Sequence, residues 1–235
     1  MKKAKKWIIP VMIIILLMAG FLVYAEIYYR ADATALEALK SDDTVSVTKV
    51  SYGWFFDGPS EEDALVFYPG AKVEETAYAP LLHELARQGM DVCLVKMPLR
   101  FAFFGAERAA AVMMLYDYRN WYICGHSLGG AIAADYAAKH PDQLKGLILL
   151  AAFPTKKLDD ALLELSIYGS EDHVLSMKKI EEGRALAPAK YYEYEIEGGN
   201  HARFGNYGVQ RGDGNAAVTA AEQQQLTVGF IIQHE

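Results

Sequence analysis

From Trp7 to Ala25 the chain holds 19 consecutive uncharged and mostly apolar residues, "WIIPVMIIILLMAGFLVYA", a pattern that does not recur. A helix of about 20 such residues spans a bilayer core, whereas the apolar centre of a cleavable signal is usually about 7–15 residues long. Lys2, Lys3, Lys5 and Lys6 precede the run. A lysine cluster of this kind stays on the cytoplasmic side and directs the rest of the chain outward. Residues 1–30 therefore read as a transmembrane signal anchor, with everything after them extracytoplasmic. Val23-Tyr24-Ala25 also fits a cleavage site, which leaves a secreted form as the alternative.

Beyond the run, apolar stretches become short and alternate in period. Residues 31–43, within "ADATALEALKSDDT", read as a short, charged, helical stalk. Thr44 to Ser51 alternates as a strand does, and Trp54 to Phe56 reads as its partner across Gly53. Strand-like runs follow in "ALVFYPG", Asp91 to Lys96, Trp121 to Cys124, "LKGLILLAAF", "LLELSIYGSED" and "YYEYEI". Between and after them, "TAYAPLLHELARQG" and segments near 108–117, 128–140, 176–187 and 220–233 carry helical periodicity or helix stops. Strands alternating with helices predict an α/β fold whose mostly parallel sheet is covered on both faces. Residues 44–235 are long enough for one such domain.

Charge narrows the partners. After the first 30 residues, 18 basic groups face 29 acidic ones, a balance of −11. That balance argues against nucleic acid and against a second contact with anionic lipid beyond the N-terminal helix. No Cys/His spacing suits zinc, and no glycine-rich loop precedes a Lys-Ser/Thr pair, so neither a metal nor another cofactor is expected.

The chemistry is carried by "WYICGHSLGG". Ser127 stands where an apolar strand turns sharply into a helix, and Gly125 and Gly129 leave room for that turn. The turn presents the hydroxyl outward beside the unpaired N–H groups of a helix N-terminus. A serine needs a base, and the base needs an orienting acid. Both candidates follow at later strand ends: Asp172 beyond "LSIYGSE", and His201 in "EGGNHARFG". Glu171 is an alternative acid. Developing negative charge on the substrate carbonyl calls for two fixed donors. The backbone N–H groups of Leu128 and Ala71 are the candidates.

With these residues in place, the chain resembles the α/β-hydrolase superfamily, and within it a compact bacterial branch related to dienelactone hydrolases. "FYPGAKVE", "GHSLGGAIAADYA", "YGSEDHV" and "GGNHARFGNYGVQRGDG" carry the resemblance, which covers about residues 44–235. It implies a serine hydrolase acting on small-molecule carboxylic esters, and the N-terminal anchor would place that activity outside the cytoplasmic membrane. A thioesterase, a peptidase or an acyltransferase would use the same triad, and a non-catalytic binding module on the same scaffold is the alternative of a different class. The superfamily's strand order would put "ALVFYPG" between the strands of Cys93 and Cys124. Two strand spacings of about 4.8 Å each are too far apart for a disulfide.

Three finer expectations concern the rim. Only "AFPTKKLDDALL" joins the strand after the nucleophile helix to the acid-bearing strand, too little for a cap with its own core. Leu99, Phe101, Phe103 and Phe104, in "MPLRFAFFGAER", are candidates for an apolar substrate wall. An uncapped, shallow site should favour short acyl chains, since each buried CH₂ contributes only about 0.8 kcal/mol. Lys72, Glu74 and Glu75 read mainly as solvated surface. Asp213 reads as a turn residue between glycines, and no chemical role follows for the 204–217 loop.

Overall fold

The computed structural model describes residues 5–59 and 61–235. Lys2 and Lys3 lie outside the described residues. The apolar run forms α1 (Lys5–Glu26), which is long and apolar enough over Ile9–Glu26 to cross a membrane. A signal sequence would have the same length and composition. From Ile9 to Gly20 its residues are exposed, whereas Phe21 is half-buried and Ala25, near its end, is buried.

An eight-stranded sheet forms the centre of the rest. Its strands are β1 (Ser46–Val50), β2 (Gly53–Asp57), β3 (Asp63–Tyr68), β4 (Asp91–Val95), β5 (Asn120–His126), β6 (Gly146–Leu150), β7 (Leu163–Gly169) and β8 (Lys190–Ile196). Their order is β1-β2-β4-β3-β5-β6-β7-β8. The β1–β2 hairpin is antiparallel and joins β4 antiparallel, whereas β4, β3 and β5 to β8 run parallel. Parallel strands require crossovers, and α3 (Ala79–Arg87), α4 (Arg108–Met113), α5 (Leu128–Lys139) and α6 (Met177–Arg184) supply them, before the closing α7 (Ala220–His234).

Strand β3 shows why the sheet is covered twice. Leu65 and Phe67 pack into one apolar layer with α3 and α7, while Ala64, Val66 and Tyr68 pack into the other with α4 and α5. Successive side chains point to opposite faces, so a strand buried on both must be apolar throughout. Val66 pairs with Cys93 on one side and Phe67 with Cys124 on the other. Both cysteines are therefore held apart by β3, buried and unbridged.

Residues 31–43, expected as a stalk, pack along α3. A short helix, α2 (Ala33–Glu37), buries Ala35, and Asp32 caps it by accepting from the Ala35 N–H at 2.9 Å. His83 of α3 holds the chain beyond α2, bonding the Ala38 carbonyl at 2.8 Å and Asp42 at 3.0 Å. The groove here, about 510 Å³, is bordered by Asp42, His83 and Arg87, which already pair with one another.

Candidate active site

Every loop that matters leaves the carboxyl end of a parallel strand, so all of them gather at one edge of the sheet, where open α/β sheets place their sites. The turn between β5 and α5 holds Ser127 at φ 53°, ψ −123°. A non-glycine residue in that region costs of order 1–3 kcal/mol and persists only where its surroundings impose it. Here the Ser127 N–H donates to the Leu150 carbonyl at 2.9 Å, and the Ala131 N–H donates to the Ser127 carbonyl at 3.1 Å. The flanking glycines are steric necessities. A Cβ on Gly129 would lie 2.1 Å from the Tyr68 carbonyl oxygen, and one on Gly125 would lie 2.5 Å from the backbone of Gly129.

Asp172 follows β7 and His201 follows β8. Asp172 Oδ2 bonds His201 Nδ1 at 2.7 Å, and both side chains are buried. The other oxygen, Oδ1, accepts from the N–H groups of Val174 and Leu175 at 2.9 and 2.8 Å. Thus the carboxylate is fixed at both ends. Nε2 of His201 is buried and has no hydrogen-bond partner. His201 lines a cavity of about 320 Å³ together with Ser127, with Leu128, Ala151, Phe153 and Leu175 among its walls. Asp172, and not the alternative acid Glu171, thus takes the ring nitrogen. The Glu171 backbone N–H donates to the Gly199 carbonyl at 2.8 Å.

Leu128 is the first residue of α5, where an N–H has no carbonyl one turn back to bond. Ala71 sits in a tightly held loop. The Gly70 N–H donates to Tyr78 Oη at 3.1 Å, and the Lys72 N–H donates to the Arg100 carbonyl at 2.9 Å. Gly129 lets this loop close on the elbow, since a side chain there would also strike the Pro69 carbonyl. Ala71 itself does not border the 320 Å³ cavity.

Phe101, Phe103 and Phe104, the candidate substrate wall, do not border it either. They stack among themselves, and Phe101 and Phe104 meet Phe21 of α1 at ring-centre distances of 5.8 and 6.1 Å. An apolar helix emerging beside an apolar loop offers those rings a closer partner than the serine. Nor are Lys72, Glu74 and Glu75 simple solvated surface. Lys72 Nζ lies 3.5 Å from the centre of the Tyr24 ring, Glu74 accepts from the Ala31 N–H at 3.1 Å, and Glu75 is buried.

Two supports are not legible as such in the sequence. Asp213 accepts from the N–H groups of His201 and Ala202 at 3.2 and 2.9 Å, so the 204–217 loop fixes the backbone that carries the imidazole. The signal for it is an acid between two glycines, one of which, Gly214, presses against the Glu171 carbonyl. His126 bonds Tyr78 Oη through Nδ1 at 2.8 Å and the His201 carbonyl through Nε2 at 3.0 Å. Burial, then the neighbouring His201, drives the His126 pKa well below its usual 6.5, so the ring is neutral. Its Nε2–H must donate to the carbonyl, which leaves Nδ1 to accept from the Tyr78 hydroxyl. That hydroxyl in turn accepts from Gly70, and burial raises its pKa, keeping the proton in place. One continuous chain of hydrogen bonds therefore joins the loop of Ala71 to the loop of His201.

Residues 64–225 match the family model described as "Alpha/beta hydrolase family". The chain belongs to that family. No curated protein matches the sequence. Among solved structures, this α/β hydrolase is similar to a hydrolase of Thermoplasma acidophilum predicted to be CIB-like, at 16% identity and TM-score 0.61, covering 80% of this chain and 99% of that one. It is similar to a carboxylesterase of Bacillus subtilis at 9% identity and TM-score 0.57, covering 86% and 94%. A third likeness is to a membrane phospholipase A described as a bacterial virulence factor, at 14% identity and TM-score 0.59, covering 98% of this chain and 100% of that one. At such identities the likeness establishes the fold alone; among the described residues no large cap stands over it.

Proposed function

We propose that this α/β hydrolase is a membrane-anchored serine esterase that cleaves carboxylic esters through an acyl-enzyme. One observation carries the reading: the Asp172–His201 bond of 2.7 Å leaves Nε2 buried and unpartnered, on a residue that lines the same cavity as Ser127. In the first half-reaction His201 Nε2 takes the Ser127 proton as Oγ forms a bond to the ester carbonyl carbon, and the carbonyl electron pair moves onto oxygen. The N–H groups of Leu128 and Ala71 receive that oxyanion. Collapse expels the alcohol, which leaves with the proton from Nε2. Water then repeats the sequence and releases the carboxylic acid. Asp172 holds the imidazole tautomer throughout.

The lysines ahead of Trp7 and the apolar span after them favour an anchor with the catalytic region, residues 44–235, on the outer face of the cytoplasmic membrane. The motifs around Ser127, Asp172 and His201 favour a place near the dienelactone hydrolases. Labelling with a fluorophosphonate probe tests the chemistry. Wild type should be labelled and Ser127→Ala should not, while ester turnover falls by orders of magnitude in Ser127→Ala and His201→Ala. Near-normal turnover in folded Ser127→Ala would refute the assignment.

A further inference from the structure

Where α1 meets the fold says where the substrate comes from. Its last turns, and the residues just after it, touch loops at the carboxyl edge of the sheet, the edge that carries Ser127, Asp172 and His201. Phe21 stacks on Phe101 and meets Phe104 edge to face. Lys72 covers the Tyr24 ring, and the Arg100 guanidinium covers the Tyr28 ring at 3.5 Å. Tyr29 pairs with Val73 as an isolated parallel bridge, and its hydroxyl accepts from the Arg211 N–H at 3.1 Å. The helix before Phe21 stands clear of the fold, with Trp7 and Ile9 through Met18 exposed.

Depth follows from helix geometry. Phe21 lies inside the apolar span, five residues before its end at Glu26. At about 1.5 Å per residue that puts it roughly 7 Å within the span. Phe104 touches Phe21 and shares its depth, and Phe103 packs on Phe101 and Phe104, yet Phe103 and Phe104 are 46% and 49% exposed. Val209, on the loop that Arg211 ties to Tyr29, is 91% exposed. Tyrosines beside lysine and arginine, at Tyr24, Tyr28, Lys72 and Arg100, are the side chains that settle at a membrane–water boundary.

We infer that the catalytic edge lies on the bilayer, with Phe103, Phe104 and Val209 in its interface, and that the ester cleaved is an acyl ester of a membrane lipid. The inference rests on the esterase reading above and on α1 being retained as a span. A cavity of about 320 Å³ is too small to enclose a long acyl chain. On the bilayer it has no need to, because the chain stays in the hydrocarbon while only the ester carbonyl reaches Ser127. The small cavity and the long-chain substrate are thereby compatible.

The experiment uses full-length protein reconstituted into vesicles of phosphatidylcholine, phosphatidylethanolamine and phosphatidylglycerol. Both native thiols are buried, so a polarity-sensitive maleimide will report on an introduced cysteine. At Phe103→Cys, brominated lipid should quench the label strongly. At Met114→Cys, just after α4 at the opposite edge and 87% exposed, it should not. Wild type should release fatty acid from the vesicles. Phe103→Ser/Phe104→Ser should lower that release at least tenfold while hydrolysing p-nitrophenyl butyrate within twofold of wild type. Equal quenching at the two positions, or unimpaired lipid hydrolysis by the double variant, overturns the inference. So does wild type that cleaves p-nitrophenyl butyrate but no vesicle lipid, and in that case the esterase reading stands. Cleavage of neither substrate refutes both.

Discussion

His126 stands one residue before the serine with both ring nitrogens engaged, one by Tyr78 and the other by the His201 carbonyl. The sequence alone suggests only that it packs against a neighbouring loop; its partners are 48 and 75 residues away, beyond any local pattern. Ser127, Asp172 and His201 are legible because each sits in a turn whose glycines and strand ends are themselves local. Burial of a neutral imidazole has a consequence for stability. The folded-state pKa of His126 is depressed, so the unfolded chain binds a proton the folded chain refuses. The contribution is intact above the unfolded value near 6.5 and is lost as pH falls below it, by about 1.4 kcal/mol per pH unit until the folded pKa is reached. His126→Gln should therefore be less stable than wild type at pH 7.5 but lose less on moving to pH 5.5. Thermal unfolding midpoints of the two proteins in detergent at both pH values check this. Equal acid shifts would mean that His126 takes up its proton in the folded state.

At the scale of elements, the strands and the longer helices follow from period and punctuation. The hairpin across Gly53, the buried β3 and the final helix appear where pattern and turn residues put them. The segment joining α1 to β1 does not, because what holds it is pairing at a distance. The Tyr29 N–H donates to the Lys72 carbonyl at 2.8 Å, the Glu74 N–H donates to the Tyr29 carbonyl at 2.9 Å, and the Asp32 N–H donates to the Asn206 carbonyl at 2.9 Å. Tyr29 also packs on Tyr207 with ring centres 5.5 Å apart. One residue thus straps the loop of Ala71 to the loop that carries Asp213. From sequence, a chain starting near Ala31 would be soluble and fully active, since no apparent core element precedes Thr44. The strap changes that expectation. A chain starting at Ile27 should hydrolyse p-nitrophenyl butyrate with near-normal kcat, whereas one starting at Ala31 should lose about tenfold, mostly in kcat, because the loop of Ala71 loses a restraint. Tyr29→Ala in the full-length protein should move the same way. Equal kcat in all of these would reduce the strap to a passive contact.

For the whole molecule, the missing cap and the position of α1 bear on the same question, how rate depends on a lipid surface. Interfacial activation requires a closed form that a surface opens. Between β6 and β7 the chain has only residues 151–162, without a helix, and among the described residues no other segment forms a domain over Ser127. Phe101 and Phe104, in the apolar loop that the sequence offers as a cover, pack on Phe21 instead and do not border the cavity. There is accordingly nothing to open, and on the proposed reading, with α1 kept as a membrane span, the enzyme is already at the surface. Soluble esters should be cleaved with smooth saturation through their solubility limit, tributyrin being a suitable case. In vesicles, fatty-acid release should rise hyperbolically with the mole fraction of cleavable lipid diluted into a non-hydrolysable ether lipid, without a lag. Among soluble esters the shortest acyl chains should be preferred, because outside the bilayer a long chain finds only a small cavity to enter. Within the bilayer that preference should vanish, since the chain never leaves hydrocarbon and the cost of about 0.8 kcal/mol for each CH₂ brought into water does not arise. A sharp rise in rate as tributyrin passes its solubility limit would reveal a lid that the fold does not contain.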